Sequence, residues 1–283
     1  ANGFPLTNST ADLATNGAYV VIRPGTHALT VRYWIKDYAT NVEGAITKTY
    51  DSFKYEKNDY YDMTANINVT DYDGRQYYMW DAKNNYWNGH EWDSADPWQL
   101  VLDGYEGKYA QVEDNFYNNS GGGNKRYDAI NNSCKDLPNV NEMAAYVLKG
   151  DPHWDGEKLW SAMGHLHKGG MWFKTKASIS YTYYFDSQRA PNGTDMRNNG
   201  GSVSNTPKQG TPVQNYFNRY FFVPALGYYS FGSFTNIGTK GSYWTSSAHP
   251  DDSNWAYCLT FSNSVVTLDG PDSSNGSYTM KFE

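Results

Sequence analysis

The sequence predicts a mostly β protein with an α+β C-terminal part: an antiparallel β-sandwich region over residues 1–70, then a larger domain over residues 71–283. Three observations lead there. Two stretches before residue 70 alternate apolar and polar side chains with a period of two. The last quarter breaks into short aromatic and β-branched runs cut by Gly, Asn, Asp or Pro. One segment, opening at Asn139, carries a helical apolar stripe.

In the N-terminal region Leu29, Val31, Tyr33 and Ile35 alternate with Thr30, Arg32 and Trp34. Further on, Met63, Ala65, Ile67 and Val69 alternate with Thr64, Asn66 and Asn68. One polar face per strand is the pattern of half-buried strands in a sandwich. Residues 42–49 and 52–55 offer further strands. About 70 residues is small for a free-standing domain, so this region is either half of a larger sandwich or supported by the domain after it.

Asp-Tyr-Asp-Gly-Arg at 71–75 reads as a turn, residues 77–82 as a short strand, and residues 84–98 as a loop studded with aromatic rings. Residues 118–124, with three consecutive glycines, read as flexible. Asn139 is placed to cap a helix and Glu142 to complete a capping box. Val140, Met143, Ala144 and Val147 then form one stripe, and Gly150 and Pro152 end the helix. A second short helix is expected over 157–163. Residues 193–211, rich in Gly, Asn, Ser and Pro, read as the longest unstructured stretch. Trp244 and Trp255, inside strand patterns, are assigned to the core.

The chain has 26 Tyr, 10 Trp and 12 Phe but only 19% charged residues, so amides and hydroxyls supply most of its polarity. That profile fits an exported, loop-rich β protein. A net charge of −7 argues against nucleic acid or an anionic membrane as partner. No apolar run approaches the twenty residues of a membrane span. No signal peptide is read, although Ala1 fits the residue after a cleaved one. Cys134 and Cys258 are either a pair closing a long loop or two buried free thiols, and the sequence leaves both open.

The residues from Cys134 to Met143, C-K-D-L-P-N-V-N-E-M, and the C-terminal strand set resemble a C-type-lectin-like domain of surface proteins from Bacteroides-type bacteria. Leu137, Pro138 and Glu142 match its Leu-Pro-x-x-x-Glu. Three strand blocks come after it in order: Phe222, Pro224, Ala225, Gly227 and Tyr228; then Gly241, Tyr243, Trp244, Thr245, Ser246 and Ser247; then Ala256, Tyr257, Leu259 and Phe261. The match covers the helix and the last quarter well, and residues 77–133 and 151–215 poorly. The N-terminal part is similar, by pattern, to the β-sandwich of fimbrillin-like pilus and adhesion proteins. Together these resemblances imply a secreted or cell-surface adhesin or fimbrial (pilus) tip subunit. Its expected partners are a glycan, a host or bacterial surface protein, or other pilus subunits.

The calcium-dependent lectins carry Glu-Pro-Asn or Gln-Pro-Asp and Trp-Asn-Asp; both are missing here. Asp251 and Asp252 before Asn254 and Trp255 read as solvated turn acids. The imidazoles of His165 and His167 fall on one side of a strand. The other histidines (His27, His90, His153, His249) have no carboxylate partner at a recognised spacing, so no metal or cofactor is expected. No hydrolase, protease, phosphate-loop or dinucleotide motif is present. The alternative is an enzyme on the same scaffold. A formylglycine-generating-like oxidase is opposed by Cys258 standing alone in its region. A glycan hydrolase would need two carboxyls across a cleft, and Glu91, Asp93 and Asp96 are acids without a predicted placement. A structural pilus subunit with an exchangeable strand is the third reading.

The expected site is aromatic: Tyr86, Trp87, Trp92 and Trp98, and separately His153 and Trp154, all among Asn, Asp and Gly. A flat ring beside amide and carboxylate groups matches the apolar face and hydroxyl edge of a sugar. The competing reading has these rings filling a core under long insertions.

Overall fold

The computed structural model describes residues 18–62, 67–105, 108, 113–120, 125–183 and 185–283. The chain divides into two compact units. The smaller comprises residues 1–35 and 45–68, the larger residues 36–44 and 69–283. The architecture is mostly β, with several sheets.

Strands β1 (Gly25–Lys36) and β2 (Glu43–Tyr55) form a two-stranded sheet. The alternation read at 29–35 is seen directly, since every second residue of β1 is shielded. The two expected strands at 42–49 and 52–55 are one continuous β2. A small aromatic cluster closes the sheet, where Tyr55 stacks on His27 at 5.1 Å and takes the edges of Phe53 and Tyr61. Within this unit the described residues form only this one sheet. Residues 63–66 of the expected 63–69 strand lie outside the described residues, as do residues 1–17 and 121–124. Ile67 and Val69 are irregular chain.

The larger unit opens with β3 (Thr70–Tyr72) and β4 (Tyr77–Tyr78), then helix α1 (Val140–Lys149) and the hairpin β5 (His153–Ala162) and β6 (His165–Lys174). Short helices α2 (Lys176–Ser180) and α3 (Met196–Asn199) precede β7 (Val203–Asn205) and β8 (Lys208–Gln209). The C-terminal part supplies β9 (Tyr220–Pro224), β10 (Leu226–Ser230), β11 (Ser233–Ile237) and β12 (Lys240–Ala248). It ends with β13 (Ala256–Ser262), β14 (Val266–Asp269) and β15 (Ser277–Tyr278). One sheet runs β3-β5-β6-β9, with β8 on β5. The other runs β11-β10-β12-β13-β14-β7, with β15 joining β12 to β4.

Helix α1 forms as its sequence dictates. The Asn139 side chain accepts from Asn141 N and Glu142 N, the Glu142 carboxylate accepts from Asn139 N, and Gly150 caps the other end. Its stripe, Val140, Met143, Ala144 and Val147, is fully buried. Tyr146 is buried too and meets the edges of Phe173, Phe221 and Phe282. The helix therefore packs on strands of both sheets, within one core.

Several expectations are corrected. Residues 157–162 are strand and Met163 is turn, not helix. Met163 and Gly164, both at positive φ, make the two-residue turn that folds β5 onto β6, and this turn overrides the helix-forming side chains before it. Residues 77–82 contribute only Tyr77–Tyr78 as strand. The stretch 193–211 is structured, holding α3, β7 and β8. Trp244 is core as expected, whereas Trp255 is 44% exposed.

A second, smaller core gathers Trp80, Leu137, Trp244, Ala248, Ala256 and both cysteines. Cys134 and Cys258 are free and fully buried. Burial pushes the Cys134 thiol up to about 12 and that of Cys258 to about 11. Such thiols stay protonated, the opposite of an activated nucleophile.

Candidate functional site

The expected aromatic residues separate into different environments. Tyr86 and Trp87 are buried: Tyr86 stacks on Tyr229 at 5.5 Å, and Trp87 meets Tyr229 edge-on. Trp92 and Trp98 are partly buried against the same core. Trp98 is covered by His90, stacked at 3.6 Å and 7°. The loop at 84–98 is irregular, as read, but Tyr86 and Trp87 are part of the core, so these two do not form a displayed sugar platform. Trp154, on β5, is partly buried and edges against Phe261.

His153 is different, because it belongs to a polar cluster centred on Asp151. The cluster begins where α1 ends. Gly150 N donates to Tyr146 O at 3.0 Å, and a Cβ on Gly150 would lie 2.2 Å from that oxygen, so glycine is required there. Asp151 then takes a left-handed φ of 46°, tolerated by Asp better than by most residues. Pro152 leads into β5. Strand β8 pairs Lys208 with His153, and β6 pairs Lys174 with Tyr220 of β9. Main-chain bonds pin the junction: Lys174 N to Gly150 O at 2.8 Å and Lys208 N to Pro152 O at 2.9 Å.

Four side chains converge on the Asp151 carboxylate. Lys208 Nζ is at 2.6 Å and Lys174 Nζ at 3.5 Å. Tyr220 donates its hydroxyl at 2.7 Å, and His153 Nε2 lies at 3.6 Å. Burial alone would raise the Asp151 pKa, but hydrogen bonds from Lys208 and Tyr220 and the charge of Lys174 outweigh it and hold the group down at about 2. Burial lowers the pKa of His153, partly opposed by Asp151.

Beside this cluster lies a cleft of about 430 Å³, walled by Lys149, Asp151, Lys174, Tyr183, Thr206 and Lys208 among others. Lys149, in the last turn of α1, sits with Nζ 4.6 Å from the Tyr183 ring centroid. Asn205 fixes the far wall by donating to Val147 O at 2.8 Å. The arrangement offers ammonium groups, an exposed ring and hydroxyls, with the Asp151 carboxylate engaged by Lys208 and Tyr220. Sequence reasoning found His153 but missed the lysines. Lys149, Lys174 and Lys208 follow one another at gaps of 25 and 34 positions, and the pairing of β6 and β8 with β5 brings the last two to the end of α1.

A second cavity of about 450 Å³ is more apolar, lined by Thr40, Val42, Leu102, Asp103, His167 and Ile237 among others. The two histidines read as a pair have separate roles. His165 Nδ1 is 3.0 Å from Asp37, while His167 stacks on Trp160 at 4.9 Å. Among the described residues no group of three or more His, Cys, Asp or Glu is arranged to hold a metal. Asp252 accepts from Asn254 N at 2.8 Å, closing a local turn.

No helix of the described residues is long and apolar enough to cross a membrane. No protein-family model, no curated protein and no solved structure matches this chain.

Proposed function

We propose that this chain is a non-enzymatic recognition protein of the bacterial surface, an adhesin or fimbrial tip subunit. It binds a glycan or a surface protein on a C-type-lectin-like scaffold that carries a fimbrillin-like N-terminal region. The observation that carries the reading is the join between two of the motif blocks. Val140 N, at the start of α1, donates to Ser247 Oγ at 3.2 Å, and Ser246 N donates to Pro138 O at 3.1 Å. The Leu-Pro-x-x-x-Glu segment is thus hydrogen-bonded to the Gly-x-Tyr-Trp-Thr-Ser-Ser strand. The third block, Ala256–Ser262, pairs with that same strand.

The chemistry of the cleft supports binding over turnover. Its carboxylate is engaged by two lysines and a tyrosine, and the buried thiols are held protonated. Screening the intact chain against a glycan array and a panel of host and bacterial surface proteins tests the proposal. Retention of at least one ligand, without its conversion, is expected. No ligand in either screen, together with measurable turnover of a glycan, would replace this reading with an enzymatic one.

A further inference from the structure

The chain is acidic overall, yet three lysines face the cleft at the end of α1 against a single carboxylate. A helix C-terminus favours one positive charge, and Lys149 in the last turn supplies it. Asp151 neutralises a second. The remaining ammonium charge is in excess of what the fold requires.

We propose that this cleft is a subsite for an oxyanion carried on a sugar, either a uronic-acid carboxylate or a sulfate ester; the inference rests on the recognition function proposed above. Two of the three ammonium groups are held in place before any ligand arrives, Lys208 and Lys174 by Asp151 at 2.6 and 3.5 Å. Pre-positioning reduces the ordering that binding demands. The Lys208 side chain remains 64% exposed, so its other N–H groups face solvent and a ligand. Lysines act as point charges, which suits an anion presented at varied angles on a flexible glycan.

The rim argues for a sugar over a bare anion. Tyr183 is 45% exposed and borders the cleft, with Lys149 Nζ over one face of its ring, so the exposed part of the ring offers apolar surface to pyranose C–H groups. Thr206, also in the lining, adds a hydroxyl. The volume of about 430 Å³ lies within the range of small-ligand sites.

The test titrates the intact chain at low and at physiological ionic strength with four oligosaccharides. Hyaluronan hexasaccharide carries carboxylates only, keratan sulfate oligosaccharide sulfates only, chondroitin sulfate hexasaccharide both, and cellohexaose neither. Binding of at least one acidic probe and none of cellohexaose is expected, and the carboxylate-only and sulfate-only probes tell the two sources apart. K149Q and K208Q should each weaken binding about five- to tenfold. K54Q, on β2 of the other unit, should leave it unchanged. Thermal melts of each variant check that folding is intact.

No binding of any acidic probe overturns the inference, as does binding indifferent to K149Q, K174Q and K208Q. Equal binding of a poly-glutamate peptide overturns it in favour of an acidic protein partner. If a neutral glycan or a protein is retained in the wider screen while the acidic probes fail, only the cleft assignment falls. If nothing at all is retained, the recognition function falls with it.

Discussion

Trp80 and Trp244 secure one another's strands reciprocally: Trp244 Nε1 donates to Tyr78 O at 2.7 Å, and Trp80 Nε1 donates to Thr245 O at 2.9 Å. Both rings are buried in the second core, beside Cys134 and Cys258. The exchange joins a loop near the start of the large unit to its most buried strand. Each substitution W80F and W244F removes the indole donor from its carbonyl partner, for an expected loss of about 1–3 kcal/mol. Urea melts of both single variants and the double variant check this. Because both sit in one cluster, the double variant should depart from additivity by roughly 0.5 kcal/mol or more.

Asp81 organises the loop after β4. It is buried, adopts a φ of 51°, and accepts from Asn131 N at 2.7 Å, Asn118 Nδ2 at 2.8 Å and Ile130 N at 3.1 Å. D81A strands several donors at once and should destabilise by on the order of 3 kcal/mol. D81N keeps one acceptor and should lose less. Chemical denaturation separates the two.

The thiols give a simple chemical check. With pKa values pushed up to about 12 and 11 by burial, neither Cys134 nor Cys258 should react with a disulfide reagent at pH 8 in the native protein. Both should react in urea. Rapid labelling of either in the folded state would contradict the packing described.

Stability should fall as the medium is acidified from neutrality. His167 is 3% exposed, and burial, with the positive charge of His165 second, lowers its pKa from 6.5 to about 4. Its Nε2 is buried without a hydrogen-bond partner among the described residues. Between pH 6.5 and 4 the unfolded chain takes up a proton that the folded chain refuses. The folded state therefore loses up to about 1.4 kcal/mol for each pH unit crossed in that window. H167F, which preserves a ring on Trp160, should flatten the pH dependence there. Below pH 4 a further loss is expected, because Asp37 and Asp151 are both held at about 2 in the fold. Urea melts at pH 7, 5 and 4 read the histidine effect, and one at pH 3 reads the carboxylates.

What the sequence made legible was local. Asn139, Glu142 and Gly150 announce α1 because caps act over three or four residues. The alternation at 29–35 announces β1 for the same reason. The strand-rich C-terminal quarter was readable from its aromatic and β-branched runs. The hairpin at 153–174 was missed because Glu157, Lys158 and Leu159 favour helix, while the deciding signal was a two-residue Met163-Gly164 turn. Trp255 sits in an apolar pattern yet is exposed, since the chain turns at Asn254 just before β13 begins. The lysine cleft was invisible for a deeper reason. Lys149, Lys174 and Lys208 share no local motif, and only strand pairing across dozens of residues assembles them. Tyr86 and Trp87 show the converse: residue types suited to a sugar fill a core around Tyr229.

The proposed recognition function rests on α1 and the C-terminal strands forming one scaffold, and native-state hydrogen exchange measures that directly. The amides of Met143 to Val147 should share one opening free energy with those of β12 and β13, and both should fall together in W244F. Exchange of the helix amides at a distinctly lower free energy, unaffected by W244F, would show that helix and strands are separate units and would contradict the account.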